Sequence, residues 1–366
     1  MKPTEILHRS GQSLWLDNIT RELLTNGTLA HYIRELSVTG LTSNPTIFDH
    51  TIKSSAAYDG AIRAQLANGL SGEQLFFELA LQDLTAAADL FRDVHECTAG
   101  VDGWVSLEVS PLLARDARTT LAEAIDLHAR AARPNLHIKI PGTPEGLQAI
   151  EAAIFSGVPV NVTLLFSPAQ YLAAAEAYLR GVERRIEAGL NPNVSSVASV
   201  FISRWDVAVA RQAPAQLANT LGIAMGCAAY RAYLRFLASP RWRRACNAGA
   251  RPQRLLFAST GTKDPKVSDV LYVEALNAPL TINTVPESTL KAFADHGALA
   301  DNPKVESAAA DRVLRQFGQA GVDLDGLARR LQDEGAAAFV SSWNDLLGVI
   351  ASKSAALGAQ PRRAAS

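Results

Sequence analysis

A lysine in an otherwise apolar segment is the residue with the clearest capacity for chemistry. Lys139 lies in the run Leu-His-Ile-Lys-Ile-Pro-Gly-Thr-Pro-Glu-Gly, which spans residues 136–146. Side chains alternate between the two faces of a strand, so Ile138 and Ile140 point away from Lys139. Burial disfavours the charged form of an amine, and a neutral amine can attack a carbonyl carbon. The segment suggests Schiff-base chemistry, although a lysine at the end of a strand is more commonly a solvated charge.

The composition is that of an ordinary globular protein. The chain has 366 residues, of which 48% are hydrophobic and 19% charged, and its formal net charge is -1. That apolar content is enough for one large core or two medium ones. The near-zero charge favours neither nucleic acid nor an acidic membrane as a partner, so any phosphate recognition must be local.

The sequence shows no signal for metal binding, export or membrane insertion. Cys97, Cys227 and Cys246 show no metal-ligand spacing and cannot all pair with one another, which favours a reducing cytoplasm. The seven histidines form no HxxxH cluster. No signal peptide or run long enough to span a bilayer is visible. We therefore expect a cytoplasmic protein with no metal and no membrane contact.

Short β-rich segments alternate with longer alanine-rich segments of helical character. This alternation predicts a parallel sheet with helices packed outside it. Helix starts support the intervals, as at Thr143 and Ser167, where a cap residue precedes a proline. Eight strands suggest a single closed (β/α)8 TIM barrel. They are expected near residues 14–17, 37–42, 104–109, 136–140, 158–165, 197–203, 255–260 and 280–283.

An open, doubly wound sheet is the main alternative fold. Such a sheet normally carries a glycine-rich nucleotide turn after its first strand, whereas residues 17–22 here contain no glycine. The barrel is therefore preferred. The interval 205–254 is longer than one barrel helix requires, which predicts a helical insertion between strands six and seven. We expect one domain over residues 1–352 and a flexible, small-residue tail over 353–366.

Polar side chains collect at the carboxyl ends of the predicted strands, where an α/β barrel carries its active site. Singly, a buried Asn or Thr is more often structural, and an Asp after a strand commonly caps a helix. Many such groups around one lysine are harder to attribute to packing, because buried polar groups cost free energy unless paired. The candidates are Asp17, Thr42, Asn44, Glu108, Lys139, Asn161, Thr163, Ser199, Phe201, Arg204 and Ser259.

Three segments resemble transaldolases. Residues 40–48, Gly-Leu-Thr-Ser-Asn-Pro-Thr-Ile-Phe, are similar to the family's first signature, and residues 136–149 to its Schiff-base signature. Residues 161–167, Asn-Val-Thr-Leu-Leu-Phe-Ser, add a third match in the same order. The similarity extends in outline from about residue 13 to about residue 343. It implies a barrel enzyme of the non-oxidative pentose phosphate pathway that needs no cofactor and is often a homodimer.

The resemblance also implies a reaction and a set of roles. A dihydroxyacetone unit would pass from sedoheptulose 7-phosphate to glyceraldehyde 3-phosphate, giving erythrose 4-phosphate and fructose 6-phosphate. Lys139 would form the imine, and Asp17 would take the proton of the C4 hydroxyl. Glu108, with Thr163 and Asn161, would orient a water. The other candidates would bind substrate, namely Thr42, Asn44, Asn161, Ser199, Phe201, Arg204 and Ser259.

The phosphate site departs from the family pattern. Arg204 matches the phosphate-binding arginine after strand six. Shorter family members carry a second arginine where this chain has Gly261, in the run Ser-Thr-Gly-Thr-Lys over residues 259–263. Lys263, with the amides of its loop, is the candidate substitute. The alternative is a turn with a solvated lysine.

Other functions compete with this interpretation. A fructose-6-phosphate aldolase of the same superfamily would cleave without an acceptor, but such relatives tend to have tyrosine for Phe201 and glutamine for Glu108. A catalytically silent sugar-phosphate-binding barrel is disfavoured by the intact set of Asp17, Glu108 and Lys139. A pyridoxal enzyme would also use a lysine imine. The basic run at 241–244 could contact nucleic acid, although a solvated helix face explains it better.

Overall fold

Eight parallel strands close into a barrel in chain order, with β8 returning to pair with β1. This computed structural model describes residues 1–262, 264–300 and 308–358, so Lys263 lies outside the described residues. The prediction of a TIM barrel is confirmed, and each predicted strand overlaps an observed one. The strands are β1 Ser13–Asp17, β2 Val38–Thr42, β3 Trp104–Glu108, β4 Leu136–Pro141, β5 Val160–Leu165, β6 Ser196–Phe201, β7 Arg254–Ala258 and β8 Ile282–Val285.

Helices surround the barrel and fill the intervals between strands. Two of them begin as the sequence predicts: Thr143 accepts a hydrogen bond from the Gly146 amide, and Ser167 forms a capping box with Gln170. The helices are α1 Pro3–Arg9, α2 Arg21–Thr25, α3 Thr28–Glu35, α4 Pro45–Ser54, α5 Asp59–Ala67, α6 Gly72–Leu90, α7 Arg92–Cys97, α8 Ala117–Ala131, α9 Pro144–Ser156, α10 Pro168–Glu187, α11 Ser203–Val209, α12 Leu221–Ala238, α13 Pro240–Asn247, α14 Leu271–Ala275, α15 Glu287–His296, α16 Ala309–Gln319 and α17 Leu324–Gly358.

Strand β4 distributes its side chains as alternation predicts. Leu136, Ile138 and Ile140 are buried in the large apolar core against the outer helices. His137 and Lys139 point the other way, into the barrel. At the amino-terminal end of the barrel the His137 ring stacks between Trp104 and Trp15, with its centroid 4.1 Å from that of Trp104. Aromatic rings therefore fill the lower interior and leave the upper end for a cavity.

Helices α11, α12 and α13 occupy the long interval between β6 and β7, which confirms the predicted helical insertion. The insertion packs on the barrel through α12, which contacts α10 and α16. Its Arg241 is paired with Glu183 at 2.7 Å and also with Glu176. Arg254, just beyond it, is paired with Asp102 at 3.3 Å. Both arginines therefore make ion pairs within the chain.

The C-terminal helix α17 is longer than the sequence suggests. It continues through Gly358, and Lys353 donates hydrogen bonds to the Ser55 carbonyl at 2.6 Å and to Asp59 at 2.9 Å. The predicted start of a flexible tail at residue 353 is therefore wrong, because these contacts hold the last turns on α5. Residues 359–366 of that prediction lie outside the described residues. Within the described ranges, no helix combines the length and apolarity that crossing a membrane requires.

Candidate active site

A cavity of about 310 Å³ opens at the carboxyl ends of the strands. This is the end at which α/β barrels carry their active sites. Most of the polar residues predicted from the sequence lie in its wall. The predicted residues that line it are Asp17, Thr42, Asn44, Lys139, Thr163, Ser199, Phe201, Arg204 and Ser259.

Lys139 lies at the floor of this cavity and is 6% exposed. Its Nζ atom donates hydrogen bonds to the Ser43 carbonyl at 3.1 Å and to Glu108 Oε2 at 3.2 Å. Strands β3 and β4 are in register with Glu108 opposite Lys139, so the sheet itself brings the two side chains together. The arrangement supplies an amine with a carboxylate that can accept its proton.

Glu108 is buried beside Lys139, and its protonation is set by competing effects. Burial raises the pKa of Glu108, the Lys139 ammonium opposes that shift, and the Asp17 carboxylate adds to it. The second carboxylate oxygen, Oε1, and the Thr163 hydroxyl are both buried without a hydrogen-bond partner among the described residues. Each of these two groups is therefore able to form a further hydrogen bond with a small polar molecule.

Asp17 ends β1 and faces the cavity from the side opposite β4 and β5. Thr42 Oγ1 donates a hydrogen bond to Asp17 Oδ1 at 2.7 Å and lies 2.8 Å from Thr284 Oγ1 on β8. These hydroxyls hold the carboxylate in a fixed orientation at the wall. Asp17 is therefore placed to exchange a proton with a molecule bound above Lys139.

Asn161 does not line the cavity. Its side chain is fully buried, accepts a hydrogen bond from Ser199 at 2.7 Å and donates one to Ser106 at 3.0 Å. Ser199 does line the cavity. Both polar ends of the Asn161 amide are hydrogen-bonded to side chains of neighbouring strands, and the contact of Asn161 with substrate stays a prediction.

Arg204 follows β6 in the first turn of α11 and lines the cavity mouth. Its helix is anchored by Asp206, which accepts hydrogen bonds from the Leu221 amide at 2.9 Å and the Tyr272 hydroxyl at 2.8 Å. Arg204 is the only arginine among the described residues of the cavity wall. Gly261 also lines the cavity, so the loop that leads to Lys263 reaches the same opening.

Several residues of the wall were not predicted from the sequence. Phe339, from α17, lies with its ring centroid 5.5 Å from Lys139 Nζ. Thr284 was missed because β8 was predicted to end two residues earlier than it does; with the true boundary, strand alternation would have found it. The remaining unpredicted residues lie in α4, at the end of β7 and just after β8, and are Thr46, Ile47, His50, Ala258 and Pro286.

The cavity wall offers an amine, a carboxylate, hydroxyl groups and a guanidinium as reactive or binding groups. In the part of the chain that the structure describes, no group of three or more histidines, cysteines or carboxylates is placed to hold a metal ion. Cys97 and Cys246 are exposed and Cys227 is buried, and all three are free thiols. A closed α/β barrel with a buried lysine beside a carboxylate is typical of enzymes that form a Schiff base with a carbonyl substrate.

Comparison with known proteins identifies the family. The sequence model of the transaldolase/fructose-6-phosphate aldolase family matches residues 14–350. The transaldolase of Thermobifida fusca (strain YX) is 44% identical over 97% of this chain and 99% of its own length. The transaldolase of Saccharopolyspora erythraea is 43% identical over 94% and 95%, and that of Thiobacillus denitrificans 43% over 96% and 100%. The chain belongs to the transaldolase family.

Proposed function

We propose that this protein transfers a dihydroxyacetone unit from sedoheptulose 7-phosphate to glyceraldehyde 3-phosphate, releasing erythrose 4-phosphate and fructose 6-phosphate. The observation that carries the proposal is the position of Lys139, which is buried at the cavity floor 3.2 Å from Glu108. Membership of the transaldolase family supports the choice of reaction. This activity is one step of the non-oxidative pentose phosphate pathway.

Imine formation begins with a proton transfer within the buried pair. Lys139 gives a proton to Glu108, whose pKa is raised by burial, and the neutral amine attacks the C2 carbonyl carbon of the ketose. The C2 oxygen takes one proton from the attacking nitrogen and the other back from Glu108, and it leaves as water, so that the cationic imine remains on Lys139. Thr163 supports this step, because its unpaired hydroxyl can hold that water against Glu108 Oε1.

Asp17 is the acid–base group of carbon–carbon cleavage. Its carboxylate takes the proton of the C4 hydroxyl, the C3–C4 bond breaks, and the electron pair moves to the cationic imine. The products are an aldose phosphate and a three-carbon enamine that stays on Lys139. The same steps in reverse join the enamine to the acceptor, with Asp17 returning its proton to the new hydroxyl.

The remaining wall residues suit a phosphorylated polyol. Asn44, Ser199 and Thr42 offer amide and hydroxyl groups to the retained three-carbon unit, and Ser259 lies near the mouth. Arg204 offers a guanidinium for the phosphate, which it can bind through two hydrogen bonds. Lys263 would provide the second cation, in place of the arginine that shorter family members carry at the position of Gly261.

Reductive trapping tests the mechanism directly. The protein is incubated with fructose 6-phosphate, reduced with borohydride, digested and mapped by mass spectrometry. A three-carbon adduct is expected on the peptide that carries Lys139, and Lys139→Met should give none. A three-carbon adduct on any other residue overturns the mechanism. Formation of fructose 6-phosphate from the two proposed substrates, followed in parallel, tests the transfer.

A fructose-6-phosphate aldolase is the second candidate, since the family model covers both activities. Glu108 and Phe201 favour transfer, because the aldolases tend to carry glutamine and tyrosine at these positions. The two activities differ in what happens without an acceptor. Free dihydroxyacetone that accumulates from fructose 6-phosphate alone would support the aldolase, whereas a requirement for an aldose phosphate would support the transaldolase.

We further propose a cytoplasmic protein whose partners are sugar phosphates and a second copy of itself. The free cysteines agree with a reducing compartment. The homodimer rests on the family resemblance alone. Sedimentation at several protein concentrations tests it, and a single monomeric species throughout would reject it.

A further inference from the structure

We infer that Phe339 is a further residue of this reaction, whose ring stabilises the positive charge of the imine on Lys139. The inference rests on the proposed function. The ring centroid lies 5.5 Å from Nζ, within the range of a cation–π interaction. Phe339 is 7% exposed and Lys139 6%. Because both groups are more than nine-tenths buried, their attraction is stronger than the same contact at a protein surface.

The interaction with Phe339 can persist when the amine becomes an imine. The lysine ammonium has three N–H donors and uses two of them on Ser43 and Glu108. The cationic imine keeps a single N–H, so at least one of these hydrogen bonds must be lost. The attraction of a ring face for a cation needs no N–H bond. Phe339 therefore stabilises the cation on Lys139 without using the N–H groups that are lost when the imine forms.

Residues one and two turns before Phe339 fix helix α17 to the barrel. Leu164 has a φ of 59°, and the pairing of β5 with β6 shifts register at this point. Gln332 donates hydrogen bonds to the Leu164 carbonyl at 2.9 Å and to the Gly142 carbonyl at 3.0 Å. Gly335 allows the close approach, since a β-carbon there would come within 2.9 Å of Leu164 Cδ2. The spacing 332, 335 and 339 places all three residues on one helix face.

The same helix is also fixed on the far side of Phe339. Ser342 accepts a hydrogen bond from Thr46 at 2.8 Å, and Trp343 packs edge-on against Phe76 with ring centroids 4.9 Å apart. Contacts on both sides therefore hold the ring in place over Nζ before any substrate binds. Preorganised groups of this kind stabilise developing charge without a cost of rearrangement during the reaction.

The charges of the successive intermediates indicate which of them the ring should stabilise. Lysine ammonium and ketone give the cationic imine and water, so the positive charge beside Phe339 is the same before and after imine formation. Cleavage of the C3–C4 bond then neutralises this charge by forming the enamine. Loss of the ring should therefore lower the amount of imine relative to the neutral enamine by about 5- to 30-fold, while leaving cleavage of the imine as fast or faster.

Fluorinated phenylalanines at position 339 test this inference without changing the shape of the side chain. Fluorine withdraws electron density from the ring face and weakens its attraction for a cation. The imine fraction trapped by borohydride in the presence of fructose 6-phosphate should fall stepwise with the number of fluorine atoms. Phe339→Leu should give the largest fall. The same fluorinated residues at Phe76, which packs on α17 away from Nζ, should leave the trapped fraction at the wild-type level.

The outcomes separate this inference from the proposed function. In one outcome, the wild-type protein has transfer activity and forms the adduct on Lys139, but the trapped fraction does not change with fluorination at position 339. That outcome overturns the role of Phe339 alone. Equal losses from fluorination at positions 339 and 76 overturn it as well, because they assign the effect to packing. Wild-type protein that neither transfers nor forms an adduct on Lys139 overturns the proposed function and, with it, the inference.

Discussion

Lys139 on β4 and Glu108 on β3 face each other in register inside the barrel, with 3.2 Å between Nζ and Oε2. A buried ion pair is a weak source of stability, because desolvation of both charges offsets most of their attraction. Burial raises the pKa of Glu108 even though Lys139 opposes the shift. The pair therefore contributes little to the stability of the fold. Its role in the proposed reaction is the transfer of a proton from Lys139 to Glu108.

Glu108→Gln should slow imine formation strongly. Glutamine keeps the size of the side chain and cannot accept the lysine proton, and general acid–base groups typically contribute about 10²–10⁴-fold in rate. We expect kcat to fall by about that factor with a smaller change in KM, measured by coupled assay and by the rate of borohydride trapping. Glu108→Asp, which retains a carboxyl group, is the matched control and should recover part of the loss. Full activity of the glutamine variant would contradict the role.

Arg204→Ala should weaken binding of the donor through its phosphate. A hydrogen bond to a charged group contributes about 1.5–3 kcal/mol, so KM for the phosphorylated donor should rise by about 10- to 100-fold. The value for an unphosphorylated ketose should change little. Arg251→Ala, at the opposite end of the barrel, serves as the control. Equal losses on both kinds of donor would show that Arg204 acts on the fold instead.

Lys263→Ala tests whether this residue replaces the missing arginine. If Lys263 binds the phosphate, the variant should raise the donor KM several-fold, and the combined variant with Arg204→Ala should lose more than either change alone. A neighbouring loop lysine, Lys266, offers a control of the same charge, and Lys266→Ala should behave as wild type. An unchanged donor KM in Lys263→Ala rules the proposal out.

The carboxyl group of Glu123 should make the stability of the protein depend on pH. Its carboxylate accepts a hydrogen bond from the Ser110 amide at 2.7 Å, just beyond Glu108, and burial raises its pKa to about 7. A raised carboxyl pKa means that the folded state binds the proton more tightly than the unfolded state. The associated stability is present below the unfolded pKa of 4.5 and is lost as pH rises to about 7.

Thermal unfolding of wild type and Glu123→Gln between pH 4.5 and 8 measures this effect. Glutamine stays neutral, so the stability of wild type relative to the variant should fall on the order of 2 kcal/mol as pH rises across that window. Glu151→Gln is the control, because Glu151 is a carboxylate that is paired with Arg180 at 2.6 Å and does not line the cavity. A difference between wild type and Glu123→Gln that does not vary with pH would contradict the prediction.

Much of the site could be predicted because strand alternation and the carboxyl-end rule for barrels act over short stretches of sequence. Lys139 and Glu108 follow from this local logic. Phe339 could not be predicted in this way, because it is distant in sequence from the strands. The apolar face of a helix does not indicate which strand ends that helix will cover. Asn161 was placed on the correct strand face, but its depth below the cavity depends on hydrogen bonds to Ser199 and Ser106 on two other strands.

Asp17→Asn should stop the reaction after imine formation and before cleavage. Asparagine keeps the hydrogen bond from Thr42 within reach but cannot take the C4 proton, whereas Lys139 and Glu108 are untouched. Borohydride reduction with fructose 6-phosphate should therefore leave the whole six-carbon sugar phosphate on Lys139, in place of the three-carbon adduct of wild type. Mass mapping distinguishes the two directly. A three-carbon adduct in Asp17→Asn would assign the proton transfer to another group, and the loss of any adduct would place Asp17 in imine formation itself.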